Sequence, residues 1–230
     1  MVKTPYTILS VGGSIIIPKT GFDFTFLKAF RDLIVTEIKN GKQFILVIGG
    51  GATARQYQSS GSAFNASAAD LDWIGIKATA LNAELVRVLF KEYAHESVIT
   101  KPTKKVATTR PLIVAAGWEP GCSTDYDATL LAKTYGAKTL FNLSNVDYVY
   151  DSDPNKNPGA KKIERIGWAD FRKIVGDKWT PGANVPFDPS AAKLAQKLKV
   201  TVGFIKGTDL GEVKKALSGG IFRGTVITTR

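Results

Sequence analysis

Gly117-Trp118-Glu119-Pro120-Gly121-Cys122-Ser123-Thr124-Asp125 follows the apolar run Leu112 to Ala116. A helix-like stretch then leads to Thr139 to Leu143, Ser144-Asn145-Val146-Asp147 and Tyr150-Asp151-Ser152-Asp153-Pro154. A buried strand that empties into a Gly/Pro/Ser/Thr loop and directly into an amphipathic helix, then a second strand and a second polar loop, reads as part of an open α/β sheet. Loops at the carboxyl ends of neighbouring strands form the crevice where such sheets bind ligands. Backbone N–H groups at a helix start, beside small hydroxyl side chains, suit a phosphate. The stretch predicts a phosphoryl-ligand site.

The same alternation extends in both directions. Tyr6 to Val11 is mostly apolar, as a strand buried on both faces requires, and ends at Gly12-Gly13-Ser14. Phe22 to Lys39 carries Phe26, Phe30, Leu33, Ile34 and Ile38 at helical spacing, with Asp23 as cap and Asn40-Gly41 as stop. Phe44 to Ile48 is a buried strand closed by Gly49-Gly50-Gly51, with a helix from about Ala52 to Ser59. Asp70 to Ala94 predicts a long helix, Val98 a short strand, and Lys101 to Arg110 a polar excursion or hairpin. Asn155 to Gly159 reads as a loop, Trp168 to Val175 and Asp188 to Lys199 as helices, Thr201 to Ile205 as a strand, Leu210 to Leu217 as a helix and Gly224 to Thr228 as a last strand. Strands alternating with helices predict a three-layer α/β/α sandwich around a mainly parallel sheet. With no repeat or long linker, residues 1–230 read as one domain. Its two lobes would span about 1–135 and about 136–230.

Composition narrows the function. Hydrophobic residues make up 44% and charged residues 22% of 230 residues, enough for a full core. No apolar run approaches a membrane span, and the start Met1 to Pro5 has no apolar leader, so a cytoplasmic protein is expected. One cysteine, Cys122, excludes an internal disulfide and a cysteine-rich zinc site; one histidine, His95, stands in a structural context. A net charge of +11 favours acidic ligands, but the basic residues are scattered and no RNA-binding motif accompanies them, so nucleic acid is not the expected partner.

Three glycine-rich turns follow three separate strands, and absent side chains let the main chain approach a polyphosphate. Neither GxxxxGK[ST] nor GxGxxG occurs, which sets aside the two commonest nucleotide folds. Arg55, on the first turn of the following helix, reads either as a bidentate phosphate grip or as an exposed ion-paired arginine. Asp72 reads either as an acceptor for a ribose hydroxyl or as a carboxylate complementing the start of its helix. Thr124 and Asp125 read as helix-opening residues, Asp153 as a turn residue before Pro154, Tyr150 as core or base-stacking, and Asp188-Pro189 as a helix start.

Together these segments resemble the amino acid kinase fold and, within it, the archaeal-type uridylate (UMP) kinases, from about Ile8 to Ile227. The matching pieces are Val11-Gly12-Gly13-Ser14, Val47 to Gly51 with Ala54-Arg55, Leu71 to Ile76 with Thr79 and Leu81-Asn82-Ala83, Pro120-Gly121 with Thr124-Asp125, Ser144 to Asp147 with Tyr150 and Asp153-Pro154, Asp188-Pro189 with Ala191-Ala192-Lys193, and Gly224-Thr225. The resemblance implies phosphoryl transfer from Mg-ATP to UMP, with Mg2+ arriving on ATP and no protein metal ligand assigned. By position, Gly13, Gly51 and Arg55 would act at the transferred group. Gly12, Gly13, Ser14, Gly51, Arg55, Ser144, Asn145, Tyr150 and Asp153 would bind ATP. Gly50, Asp72, Gly117, Trp118, Glu119, Pro120, Gly121, Cys122, Ser123 and Thr124 would hold UMP. A homohexamer built from dimers is also implied.

The chain departs from the pattern at three points: Ser10 replaces a lysine that many amino acid kinases place two residues before the first Gly-Gly, Ala52 stands where lysine is frequent, and Glu119 puts an acid in the acceptor loop. Another small-molecule kinase of the fold (carbamate, acyl-amino-acid or isoprenoid-phosphate) and a non-catalytic nucleotide or oxyanion store, as in molybdate storage proteins, are the alternatives.

Overall fold

The computed structural model describes residues 5–154, 156–178 and 185–229. Met1 to Thr4 and Asn155, parts of the start and loop read above, lie outside them. Nine strands and eight helices are found among the described residues: β1 Tyr6–Val11, α1 Gly13–Ile16, α2 Phe24–Lys39, β2 Gln43–Ile48, α3 Gly51–Ala63, α4 Ala68–Leu89, β3 Leu112–Ala115, α5 Thr124–Tyr135, β4 Thr139–Ser144, β5 Val149–Tyr150, β6 Lys162–Ile163, β7 Arg165–Gly167, α6 Trp168–Val175, α7 Pro189–Leu198, β8 Thr201–Lys206, α8 Leu210–Leu217 and β9 Thr225–Thr228. Seven strands form one sheet in the order β3-β2-β1-β4-β8-β9-β7. All its pairings are parallel except β8 with β9. This is the mainly parallel α/β sandwich the alternation predicts.

The strands are apolar on both faces because both faces are covered. Leu9 and Val11, Phe44, Leu46 and Ile48, and Leu112 and Val114 pack on one side with Phe30, Ile34 and Val86. Ile8, Ile45, Val47, Ile113 and Ala115 pack on the other with Leu131, Phe171 and Ala195. Local caps fix the helix starts. Asp23 accepts from Phe26 N–H, Ser123 from Tyr126 N–H, and Asp188 from Ser190 and Ala191 N–H with Pro189 next.

Four expectations change. The third and fourth major strands are not neighbours, because β2 and β1 lie between β3 and β4; helical crossovers carry the chain past intervening strands. Near Val98 only isolated bridges occur, Ala94 with Leu112 and Ile99 with Ala115, since β3 forms a single-residue contact at each. No strand occurs between Lys101 and Arg110, which run as turn and coil, so the hairpin reading fails there. Asp72 does not open its helix: Ser67 caps α4 and forms a capping box with Asp70, leaving Asp72 inside the first turns.

The sheet order reverses between β1 and β4. The chain leaves β1 toward β2 and β3, then returns to place β4 on the other side. That reversal is where open α/β sheets leave a crevice at their carboxyl ends. The first two glycine turns meet there main chain to main chain. A Cβ on Gly13 would lie 2.1 Å from Gly51 N, and one on Gly49 would lie 2.6 Å from Gly13 N. Gly51 also holds φ +59°. Gly136, the left-handed cap of α5, has φ +75° but open space around it. Gly13→Ala, meeting backbone that cannot swing aside, is expected to cost about 3 kcal/mol or more in urea unfolding. Gly136→Ala, carrying only left-handed strain, is expected to cost about 1–2 kcal/mol.

Candidate active site

One cleft takes in Gly50 of the second glycine turn, and another lies at the loop after β4. The first, about 190 Å³, is lined by Gly50, Asp72, Gly117, Glu119, Pro120, Cys122 and Thr124 among others, and by Gln58, Gly75, Ile76 and Thr79 from α3 and α4. The second, about 280 Å³, is lined by Ser144, Asn145, Tyr150, Asp153 and the surrounding loop, with Ile174, Val185 and Pro186. Tyr150 is half-buried and its hydroxyl donates to Asp147 Oδ1 at 3.1 Å. Of the residues grouped by sequence as acceptor-side, Gly50, Asp72, Gly117, Glu119, Pro120, Cys122 and Thr124 line the first cleft while Trp118, Gly121 and Ser123 do not, and Ser144, Asn145, Tyr150 and Asp153 of the adenosine side line the second. Arg55 lies in neither. It is exposed on α3 and lines a third cleft with Lys19, Ala52, Gln56, Ser59 and Ser60. Lys19 escaped the sequence reading; its only signal was a lysine soon after the first glycine turn.

The glycine turns and the third loop behave differently as donors. Asn82, deep in α4, donates through Nδ2 to the carbonyls of Gly49 and Gly50, each at 2.9 Å. In the third loop four main-chain donors already have partners. Gly117 N–H donates to Thr79 Oγ1 at 2.8 Å, Trp118 N–H to Asp127 Oδ2 at 3.1 Å, Gly121 N–H to Asp72 Oδ2 at 3.0 Å and Cys122 N–H to the Glu119 carbonyl at 3.2 Å. Thr79, Asp72 and Asp127 lie on α4 and α5, so a reading along the loop could not find them. The start of α5 is left as the loop's anion-facing end.

Beneath the switch point lies a group of acids. Asp125 accepts from Ser10 Oγ on β1 at 2.8 Å and from Asn142 Nδ2 on β4 at 3.0 Å. Ser10, standing where a lysine is common, gives Asp125 a neutral partner. Desolvation pushes Asp125 up to about 6, opposed by the Ser10 bond and reinforced by the charge of Asp188. Asp127 is fully buried and the sequence reading missed it, because a carboxylate in a first helical turn usually faces solvent. Burial pushes it up to about 7, the Trp118 N–H works against this, and Glu119, Asp188 and Asp125 add to it. Asp127 Oδ1 and Asp188 Oδ2 are buried without a hydrogen-bond partner. Cys122 is half-buried, and burial and the surrounding acids push its thiol up to about 11, so it is no thiolate nucleophile at neutral pH.

No helix is long and apolar enough to cross a membrane among the described residues. A carboxyl group held above its ordinary 3.8 stabilises the fold most when protonated, and that contribution is lost as pH rises toward its folded value. Asp127→Asn keeps the acceptor for Trp118 N–H without the buried charge. Its melting temperature is expected to exceed that of the wild type at pH 8, with the difference vanishing near pH 4. Thermal melts across that range check it.

Residues 5–206 match the amino acid kinase family. Over 227 residues the chain is 34% identical to the uridylate kinase of Methanospirillum hungatei, spanning 97% of this chain and 95% of that protein. It is 36% identical over 191 residues to the uridylate kinase of Pyrococcus abyssi, covering 81% of this chain and 84% of the other. The crystal structure of uridylate kinase from Archaeoglobus fulgidus superposes with a TM-score of 0.82 at 32% identity, covering 97% of this chain and 100% of that one. The sheet order, the glycine turns packed at its switch point and these likenesses agree: the chain belongs to the amino acid kinase family and stands with its archaeal-type uridylate kinases.

Proposed function

We propose that this chain is a UMP kinase that transfers the γ-phosphoryl group of Mg-ATP to the 5′-phosphate of UMP, giving UDP and ADP. One observation carries the reading: two glycine turns pack main chain to main chain with no side chain between them, one cleft takes in Gly50 on the acceptor side, and a separate cleft lies at the loop after β4 on the adenosine side. A triphosphate and a monophosphate laid end to end need that arrangement. The likeness to uridylate kinases over most of the chain supports UMP as acceptor. The whole chain acts as one domain in this reading, with the acceptor lobe through about residue 135 and the ATP lobe beyond.

Gly12, Gly13, Ser14 and Gly51 would take the ATP phosphates, with Ser144, Asn145, Tyr150 and Asp153 around the adenosine. Gly50, Asp72 and the loop Gly117, Trp118, Glu119, Pro120, Gly121, Cys122, Ser123 and Thr124 would enclose UMP. A UMP phosphate oxygen forms the new bond to the γ-phosphorus, while the bond from that phosphorus to the β–γ bridging oxygen breaks and its electrons leave with ADP. A phosphate monoester loses its second proton near pH 6, so the attacking group is already a dianion and needs no general base. The chain's work is placement and charge neutralisation. Lining the acceptor cleft are Asp72 and Glu119 but no lysine or arginine. Positive charge would therefore reach in from Arg55 and Lys19 of the adjoining cleft. Mg2+ enters with ATP as part of the substrate. A cytoplasmic homohexamer built from dimers completes the proposal.

Incubation with Mg-ATP and a panel of UMP, CMP, AMP, carbamate and acyl-amino-acid acceptors tests it: UDP should dominate, and turnover of another acceptor in its place overturns it. Arg55→Ala should lower kcat at least about tenfold, the scale of removing one transition-state cation, while leaving the melting temperature nearly unchanged. Asp72→Asn should raise the KM for UMP much more than that for ATP, as steady-state kinetics with each substrate varied will show.

A further inference from the structure

Asn82 is an unusual residue for the middle of a helix. Asparagine there ordinarily faces water, yet Asn82 is 1% exposed. Its Nδ2 donates to both Gly49 O and Gly50 O at 2.9 Å; two carbonyls can only accept, which fixes that end of the amide as the donor, and its Oδ1 accepts from Thr53 Oγ1 at 3.4 Å. Those two carbonyls belong to successive peptide planes. In a trans peptide the C=O and the following N–H point in opposite directions, and no cis peptide occurs among the described residues. Drawing both carbonyls toward α4 therefore turns the Gly50 and Gly51 N–H groups away from α4. Gly51 N thereby faces the first glycine turn, where a Cβ on Gly13 would fall 2.1 Å from it.

We propose that Asn82 is a positioning residue for phosphoryl transfer: one buried amide, alongside the Ala54 N–H that also donates to Gly50 O at 3.0 Å, holds two glycine peptide planes and so aims the Gly50 and Gly51 N–H groups at the phosphates. A triple-glycine loop has no side chains of its own to hold those planes, and glycine planes are the freest in the chain. Freezing them beforehand removes reorganisation from the reaction step. The same helix serves the other side of the site. Thr79, three residues earlier, accepts the Gly117 N–H of the acceptor loop at 2.8 Å. With about 1.5 Å of rise per residue, one helical turn spaces the tethers of the two loops. The inference rests on the kinase reading above and adds a group that does not itself touch substrate.

Asn82→Asp keeps the shape but replaces the double donor with an acceptor, and a proton gained at lower pH restores one of the two bonds. At pH 8 its kcat for UDP formation is expected to fall about thirtyfold or more, of the order seen when one oriented donor is lost. The loss should shrink toward pH 6 relative to wild type, and the KM for UMP should move less than about threefold. Calorimetric affinity for ATP should weaken about tenfold at pH 8, a readout independent of the acceptor. Assays run well below the melting temperature of each protein, and Asn82→Ala, which removes both donors without adding a charge, gives a loss of the same kind in kcat and ATP affinity if Asn82→Asp does not fold. A kcat for Asn82→Asp within twofold of wild type, a pH profile parallel to wild type, or unchanged ATP affinity overturns the proposal. Absence of UDP formation by the wild type overturns the UMP reading instead and leaves the ATP-binding arm to judge Asn82.

Discussion

The contact on which the rest depends is the packing of Gly13 against Gly49 and Gly51 with no side chain between them. A Cβ on Gly51 would lie 2.3 Å from Gly13 O, and one on Gly13 2.5 Å from Gly49 O. Because both turns follow adjacent parallel strands, Val11 opposite Ile48, the sheet delivers them to the same place in the same orientation. Two loops of bare main chain then lie side by side at the point where the strand order reverses.

Much of this was legible because it is local. Asp23, Asp188 with Pro189, and the Gly12-Gly13 and Gly49-Gly51 turns announce helix starts and strand ends within a few residues, and each stands where it was read. Alternate strand residues feed two different cores, so the strands read as continuous apolar runs, as buried parallel strands should. What escaped depends on distant partners. Nothing near Leu112 or Thr139 says that β2 and β1 will come between them. The donors of the third loop looked available because their acceptors, Thr79, Asp127 and Asp72, lie on α4 and α5. Asp127 looked like an ordinary first-turn acid until the fold buried it.

The charge distribution follows a similar division. The chain carries +11 overall, yet Asp72, Glu119, Asp127 and Asp188 stand close enough to Cys122 to add to the burial that raises its thiol. The net positive charge acts at long range to attract anions, while the cleft itself holds its loop in shape with carboxylates. Acids here are braces: Asp72 holds Gly121, Asp127 holds Trp118, and Asp125 joins β1 to β4 through Ser10 and Asn142. At the switch point the Ser10 hydroxyl gives Asp125 a neutral hydrogen bond.

The central claim is that two nucleotides meet head to head across the glycine contact, and a single ligand can span that line. A dinucleotide joining adenosine and uridine 5′ to 5′ through a chain of phosphates should bind with one molecule per chain in calorimetry. It should displace both ATP and UMP and bind far more tightly than either alone. Displacement of only one nucleotide, or simultaneous binding of the dinucleotide with UMP, would contradict the account.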